Sequence, residues 1–331
     1  MHIKLSVCFI TYNHEPYLRQ SLDAVLAQKT DFDFEIVVGE DCSTDNTRAI
    51  LLEYKEKYPE KFNLLFREKN LGRPTLNVYQ TSMECKGDYI AYLEGDDYWT
   101  DENKLQKQVD FLENNPEYMG CTHTCKVVGK NGEDVDDVEA LSLYDWDGDY
   151  TFADYKNNGQ RWPGQTATVV CRNIFKIGKY DYSILYKAHD FLDDGVILLF
   201  LLTQGKIYRM SETMSAWRFV KKEGEGNWNS LKIKRNAMAE DCLTKRRLLE
   251  WCENNFGLTE YGRNLAYKDY VSALSIVLKT RTKESLDLEK ELFEYNIRHV
   301  VKNDKKINHM LYIIRTIFVE GTAKIFKSKK S

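Results

Sequence analysis

The chain is poor in proline, with five in 331 residues, which excludes a Pro-rich linker protein. It holds no run of about 18 uncharged apolar residues, so no spanning helix is expected. The opening Met1-His2-Ile3-Lys4-Leu5-Ser6 enters a strand pattern directly, without the charged n-region and apolar h-region of a signal peptide. Positive charge is not in excess: 47 Lys and Arg face 51 Asp and Glu, a formal charge of −4, which argues against nucleic acid as a partner held by bulk charge. Neither GxGxxG nor GxxxxGK(S/T) occurs, so neither a dinucleotide fingerprint nor a P-loop is supported. The eight cysteines are scattered, several inside apolar runs, where they read as small hydrophobes. A disulfide framework belongs to short secreted chains, so a reducing, cytoplasmic compartment is expected.

What is present suits a folded protein. Hydrophobic residues make up 43% and charged residues 30%, which rules out a disordered or fibrous chain. At about 150 residues per domain the length fits one large domain or two moderate ones. The first hundred residues alternate strand and helix signals. Ile3 to Ile10, Phe34 to Val38, Phe62 to Phe66 and Tyr89 to Leu93 read as strands. Between the first two lies a helical stripe of Leu18, Leu22, Val25 and Leu26. The next helix carries Ile50, Leu51, Tyr54 and Tyr58, with Ser43 or Thr44 as its cap, and a third runs to about Glu84. This β-α-β-α-β-α-β order predicts an α/β fold, a mostly parallel sheet with helices on both faces. Such sheets bind ligands at the carboxyl ends of their strands. Thr11, Tyr12, Asn13 and Glu15 follow the first strand, Glu40 and Asp41 the second, and Glu94, Asp96 and Asp97 the fourth.

Beyond residue 118 the pattern changes. Tyr118 to Val128 reads as a strand and 129–150 as an acidic loop. Phe191 to Leu202 reads as a helix and Ile207 to Met210 as a short strand. Period-3.6 stripes cover 231–256, 258–279 and 284–300. Residues 295–331 carry a net +7, leaving −11 on the rest.

Five constellations could carry chemistry. Glu94-Gly95-Asp96-Asp97 crowds carboxylates into one turn, which suits Mn²⁺ or Mg²⁺ bridging phosphates, or is a solvated acidic turn. Thr11-Tyr12-Asn13-His14 offers a ring to stack on a planar base and hydrogen bonds to it, or is an ordinary polar turn. In Glu40-Asp41-Cys42-Ser43-Thr44-Asp45 a carboxylate can accept the ring N–H of a pyrimidine, and the same segment can cap a helix. Cys121-x-His123-x-Cys125 puts three possible zinc ligands on one strand face, but the spacing is unusual for zinc and core packing fits better. His189-Asp190-Phe191-Leu192-Asp193-Asp194-Gly195 leads into an apolar helix, so Asp193 or Asp194 reads as an N-cap or as a general base at a pocket mouth.

In this order, FITYNHEPYLRQSLDAVLAQ, FEIVVGEDCSTDNT, NLGRPTLN, GDYIAYLEGDDYW and DDGVILLFLLTQGKIYRMSETMSAWR resemble a family-2 glycosyltransferase with the GT-A fold, of the bacterial surface-polysaccharide type. The resemblance covers about residues 3–230. It implies a catalytic domain over 1–230, with a nucleotide-sugar half (1–117) and an acceptor half (118–230), followed by a helical region over 231–331. It further implies a nucleotide-sugar donor, by default a UDP-sugar, and a glycan or lipid-linked acceptor. Thr11, Tyr12, Asn13 and Glu15 match the base pocket and its surroundings, and Asp41 the carboxylate that holds the base. Arg73 lies in a loop that approaches phosphates or sugar. Glu94, Asp96 and Asp97 match the metal–diphosphate motif, with Glu94 where aspartate is commoner. Asp194 matches the catalytic base, with Asp193 its rival, and Trp217-Arg218 an acceptor-side pair. Phe219-Val220 replaces a frequent histidine, which leaves a third metal ligand open. The implied reaction is a single inverting displacement.

The basic end, with Met310, Leu311, Ile313, Ile314, Ile317 and Phe318 among Arg315, Lys324, Lys327, Lys329 and Lys330, reads either as a helix lying on an anionic membrane face or as one packed on the body with a solvated Lys tail. Two rival functions are an inactive sugar- or nucleotide-binding scaffold and a sugar nucleotidyltransferase. The latter needs a Gly-rich basic loop after strand one, which TYNHEPY lacks.

Overall fold

The computed structural model describes residues 2–135, 146–157, 163–191, 194–219 and 237–258. The chain divides into two compact units, Met1–Asn227 and Trp228–Ser331. In the second, the described element is a 20-residue helix, Ala237–Phe256. The expected helices over 258–279 and 284–300 and the basic end lie outside the described residues.

Among the described residues the first unit is built on a nine-stranded sheet. Its strands are β1 (Leu5–Thr11), β2 (Phe34–Glu40), β3 (Phe62–Phe66), β4 (Tyr89–Glu94), β5 (Tyr98–Trp99), β6 (Tyr118–Val128), β7 (Gly148–Tyr150), β8 (Val170–Arg172) and β9 (Lys206–Arg218). Their order is β3-β2-β1-β4-β8-β6-β9-β5, with β7 also on β9. β1 to β4 pair in parallel, as the βαβ pattern predicts. β8 is antiparallel to both β4 and β6, and β6 is parallel to β9. Two reversals cancel, so β1, β2, β3, β4, β6 and β9 all point their carboxyl ends at one rim.

The described helices of this unit are α1 (Glu15–Leu26), α2 (Thr47–Lys57), α3 (Pro74–Met83), α4 (Lys104–Asn114), α5 (Phe152–Asn157), α6 (Ile174–Ile177), α7 (Ile184–Ala188) and α8 (Asp194–Leu202). They cover both sheet faces, which is why the parallel strands read as unbroken apolar runs. On one face Val7, Phe9, Ile36 and Val38 pack with Leu18, Leu22 and Val25 of α1, Ile50 and Leu51 of α2, and Leu105, Val109 and Leu112 of α4. Each such fully buried side chain contributes about 1.5–3 kcal/mol. On the other face Cys8 meets Ser82 of α3 (Sγ to Oγ 3.6 Å).

Three elements depart from the sequence reading. β9 runs to Arg218 rather than stopping at Met210. Register shifts against β6 around Thr213 turn the exposed Ser211-Glu212-Thr213 outward and break the two-residue alternation. α8 starts at Asp194 rather than Phe191, because the preceding segment is tied elsewhere: Thr75 donates to Asp190 O at 3.2 Å and to His189 O at 2.7 Å. β7 lies within the stretch expected to be loop. No helix among the described residues is long and apolar enough to cross a membrane.

Candidate functional site

Thr11 closes β1 at the shared rim, fully buried, and its carbonyl accepts the Asp41 N–H at 3.1 Å. This bond holds the first two strand ends side by side. Asn13 follows with φ of 54°, a left-handed geometry that asparagine tolerates better than most residues. Its N–H donates to Ser43 Oγ at 2.9 Å, and its Oδ1 accepts from Thr44 N at 2.8 Å. The Glu15 carboxylate accepts from Asn46 Nδ2 at 2.7 Å, while its N–H donates to Asp45 Oδ2 at 3.0 Å. Asn13 and Glu15 therefore lace the two loops together. Ser43 and Thr44 are drawn to Asn13 and do not cap α2; one N–H of its first turn, Thr47 N, instead donates to Asp45 Oδ1 at 3.0 Å. Tyr12, 41% exposed, presents its ring to solvent at this rim.

Asp41 is buried at the end of β2. Its Oδ1 accepts from Leu71 N at 2.8 Å, and its carbonyl accepts from Asn70 Nδ2 at 3.1 Å, so it organises the loop before α3. Burial pushes its carboxyl above the ordinary value, against the pull of the Leu71 N–H and the nearby Arg67 charge. Arg67 donates to Asn77 Oδ1 at 3.0 Å and Thr81 Oγ1 at 3.2 Å. Asn77 in turn donates to Gly39 O at 2.8 Å. Glu40 is wholly buried and pairs with Arg48.

The acidic turn splits its carboxylates. Asp97 faces inward, 1% exposed. Its Oδ1 accepts from Arg218 N at 2.8 Å and its Oδ2 from Gln165 Nε2 at 2.9 Å. Burial, with the Asp96 charge beside it, pushes this carboxyl well above its ordinary value. Asp96 stays at the rim with Oδ1 3.8 Å from His14 Nε2. Glu94 ends β4 and its carbonyl accepts from Asp97 N at 3.1 Å, closing the turn. Gly95 is required there: a Cβ would lie 2.7 Å from Thr11 Oγ1 and 2.8 Å from His14 Nδ1. Those same two atoms are buried without a hydrogen-bond partner among the described residues.

A divalent ion has a limited protein donor set here. Among the described residues no three His, Cys, Asp or Glu side chains are grouped to hold a metal. Mg²⁺ and Mn²⁺ sites that borrow phosphate oxygens and water need only one or two carboxylates. Asp96 fits that role, whereas both oxygens of Asp97 already accept hydrogen bonds.

Arg73 precedes α3, and its guanidinium donates to Asp190 Oδ1 and Tyr186 O, each at 2.6 Å. It lies over the Tyr186 ring at 5.5 Å. Asp194 begins α8, half-buried, with its Oδ1 accepting from Gly195 N at 2.6 Å. Burial pushes its carboxyl up. α8 runs back toward the start of β6, where Lys206 N bonds Glu117 O at 3.2 Å. Its first residue therefore lies toward the strand-end rim. Asp193 lies outside the described residues.

Arg218 is 4% exposed and wholly engaged. It donates to Asp96 O (2.9 Å), Gly129 O (2.8 Å), Lys130 O (2.9 Å) and Gln20 Oε1 (3.2 Å), and stacks on Tyr17 at 4.3 Å. Trp217 packs against Phe219, centroids 4.7 Å apart. Cys121, His123 and Cys125 are buried strand residues, in keeping with core packing.

Three residues escaped sequence reasoning. Arg67 stands one residue past β3, so the strand-end rule applied to that strand would have found it. His14 stands within the Thr11-Tyr12-Asn13-His14 motif, but nothing local signals its approach to Asp96. Gln165 carried no local signal, because its link to Asp97 spans 68 residues.

The mixed sheet, with its parallel half and helices on both faces, is a GT-A-type fold, and Asp41, Asp96 and Asp194 stand on separate elements of it. Residues 6–175 match the family described as Glycosyl transferase family 2, and the chain belongs to that family. It is 39% identical over 138 residues to the uncharacterized protein Rv1520 of Mycobacterium tuberculosis, covering 42% of this chain and 40% of that one. It is 34% identical over 108 residues to the putative teichuronic acid biosynthesis glycosyltransferase TuaG of Bacillus subtilis, covering 33% and 41%. The chain thus matches about two fifths of the length of these relatives. Its fold is similar to that of S. aureus TarS 1–349, with TM-score 0.56 at 17% identity over 91% of this chain and 74% of that one. The TarS complex with UDP-GlcNAc gives a TM-score of 0.50 at 19% identity, over 89% and 92%.

Proposed function

We propose that the protein transfers a sugar from a UDP-sugar to a hydroxyl of a glycan or lipid-linked acceptor in cell-surface polysaccharide synthesis, with inversion at the anomeric carbon. The observation that supports this reading is the tie between Thr11 and Asp41, which keeps the exposed Tyr12 ring and the Asp41 carboxylate at the strand-end rim shared with Asp96. Similarity to TarS, which binds UDP-GlcNAc, and to the putative teichuronic acid glycosyltransferase TuaG supports the donor and product class.

In this reading Tyr12 stacks on the base and Asp41 accepts its ring N–H, with Arg67 behind it. Thr11, Asn13 and Glu15 shape the base loop, and Arg73 fixes the loop beside it. Asp96, with Glu94 at the same strand end, would hold Mn²⁺ or Mg²⁺ together with the diphosphate, and Asp97 sets the turn. The ion supplies charge neutralisation of the departing nucleotide. Asp194, or Asp193 beside it, takes the proton from the attacking hydroxyl, a contribution of about 10²–10⁴-fold. Trp217 lies on the acceptor side, with Arg218 buried behind it against the acidic turn rather than free to meet an acceptor. Domains over 1–230 and 231–331, and peripheral contact of the basic end with the inner membrane face, complete the proposal. Calorimetry with UDP and Mn²⁺ tests it. Saturable binding abolished by Asp41→Ala is expected, and absence of binding by the wild type refutes it.

A further inference from the structure

Lys104 opens α4 and is fully buried, yet its Nζ has no hydrogen-bond partner among the described residues. An ammonium carries three donors and is strongly hydrated. It also sits at the helix end where the backbone dipole disfavours a cation. Burial pushes its pKa down to about 7. The fold tolerates a costly group at this position.

Its surroundings are equally unusual. The Nζ lies 4.4 Å from the centre of the Trp99 ring, within cation–π range. Gln108 stands one turn along the same helix face. Its Nε2 bridges Cys121 O (3.1 Å) and Thr168 O (2.9 Å), while its Oε1 is buried and unpartnered. His123 on β6 feels the Lys104 charge. Its Nδ1 lies 2.9 Å from Thr124 O, a partner that can only accept, so the ring hydrogen is on Nδ1 and Nε2 is an acceptor. That Nε2 is also buried and unpartnered, as is Oγ of Ser215, which pairs across strands with Trp99. Four buried polar atoms on α4, β6 and β9, the Lys104 ammonium among them, thus lack a partner among the described residues. Buried polar groups are almost always satisfied by protein or by ordered water.

We propose that Lys104 is a positioning residue for the acidic turn: water molecules link its Nζ to Gln108, His123 and Ser215, and the tethered ammonium locks Trp99, hence β5 and the preceding Asp96-Asp97 pair. Trp99 is fixed on its other side by Nε1 donating to Ala167 O at 2.9 Å. The same short segment carries Gln165, the Asp97 partner. Trp99 and Asp97 are therefore held by one short segment, and the Lys104 ammonium lies over the Trp99 ring. The functional consequence rests on the donor-site reading above.

The test is hydrogen exchange by mass spectrometry on the full-length protein and Lys104→Met, with UDP-sugar turnover measured in parallel. Methionine fills similar volume without charge or donors. Exchange in 94–100 is expected to rise about tenfold in the variant, with β1 to β3 unchanged and a cooperative melt retained. Turnover should fall about tenfold, chiefly in kcat. Unchanged exchange in 94–100, or a rise spread evenly over α4 and β6, overturns the proposal. If Lys104→Met does not fold, Lys104→Gln is scored by the same exchange. A wild type that binds no UDP sinks the donor reading alone, because the exchange result needs no ligand.

Discussion

Arg73 Nε lies 2.6 Å from Asp190 Oδ1, a contact between residues 117 apart that joins the loop organised by Asp41 to the segment leading into Asp194. The pair is about a third exposed on each side, so its net contribution to stability is modest, about 0.2–1 kcal/mol. Its larger effect is geometric. Leu71 is bonded to Asp41, Arg73 to Asp190, and Asp194 follows four residues later. In the proposed reading this ties the carboxylate that would bind the base to the segment that leads to the proposed proton acceptor.

Arg73→Ala and Asp190→Ala are each expected to lower kcat/KM about tenfold or more, since small misplacements of reacting groups are costly. Their effects on turnover should fail to add in the double variant, as expected for partners in contact. Strict additivity in that cycle would show that the contact does not couple the two halves.

Asp97→Ala removes the acceptor for both Arg218 N and Gln165 Nε2, leaving buried donors unpaired. A loss of about 2–4 kcal/mol is expected from denaturant unfolding. Asp97→Asn should cost less. The folded-state pKa of Asp97 is raised, so the folded protein binds this proton more tightly than the unfolded chain. Its stabilising effect is complete below the ordinary carboxylate range and is lost as pH rises through the folded-state value. The wild-type melting temperature should carry that downward component, and Asp97→Asn should lack it. Identical pH profiles would contradict the assignment.

Gly95→Ala places a Cβ 2.7 Å from Thr11 Oγ1 and 2.8 Å from His14 Nδ1. Overpacking of this kind costs about 1–3 kcal/mol. Because the clash falls on the turn beside Asp96, UDP–Mn²⁺ affinity should weaken by more than the melting temperature suggests. Full affinity would show that Thr11 and His14 do not bear on the diphosphate.

The parallel half of the sheet was legible because periodicity is local: Leu18, Leu22 and Val25 mark one helix face, and Val7 and Phe9 the strand beneath it. Strand ends then pointed to Thr11, Asp41 and Asp96 without knowledge of any contact. What stayed hidden depends on distant pairing. Nothing near Asp97 signals that Gln165 and Arg218 turn it inward, and nothing near Arg73 signals Asp190. β9 was cut short because a bulge exposes Ser211, Glu212 and Thr213 and erases alternation. Lys104 carries no local signal, since burial of a single lysine leaves no mark on composition.

Asp194 sets the last expectation. To accept a proton from an attacking hydroxyl its carboxyl must be ionised, and burial raises the pH at which that happens. The acid limb of kcat/KM should therefore lie above the ordinary carboxylate range, with activity rising through it. Asp194→Asn cannot accept the proton. It should lower turnover by about 10²–10⁴-fold and flatten that limb, while UDP affinity, which the proposed function assigns to Tyr12, Asp41 and Asp96, stays within a few-fold of wild type. Asp193→Asn made alongside separates the two neighbours. Near-native turnover in Asp194→Asn, with loss in Asp193→Asn, would move the base by one residue and leave the donor site as described.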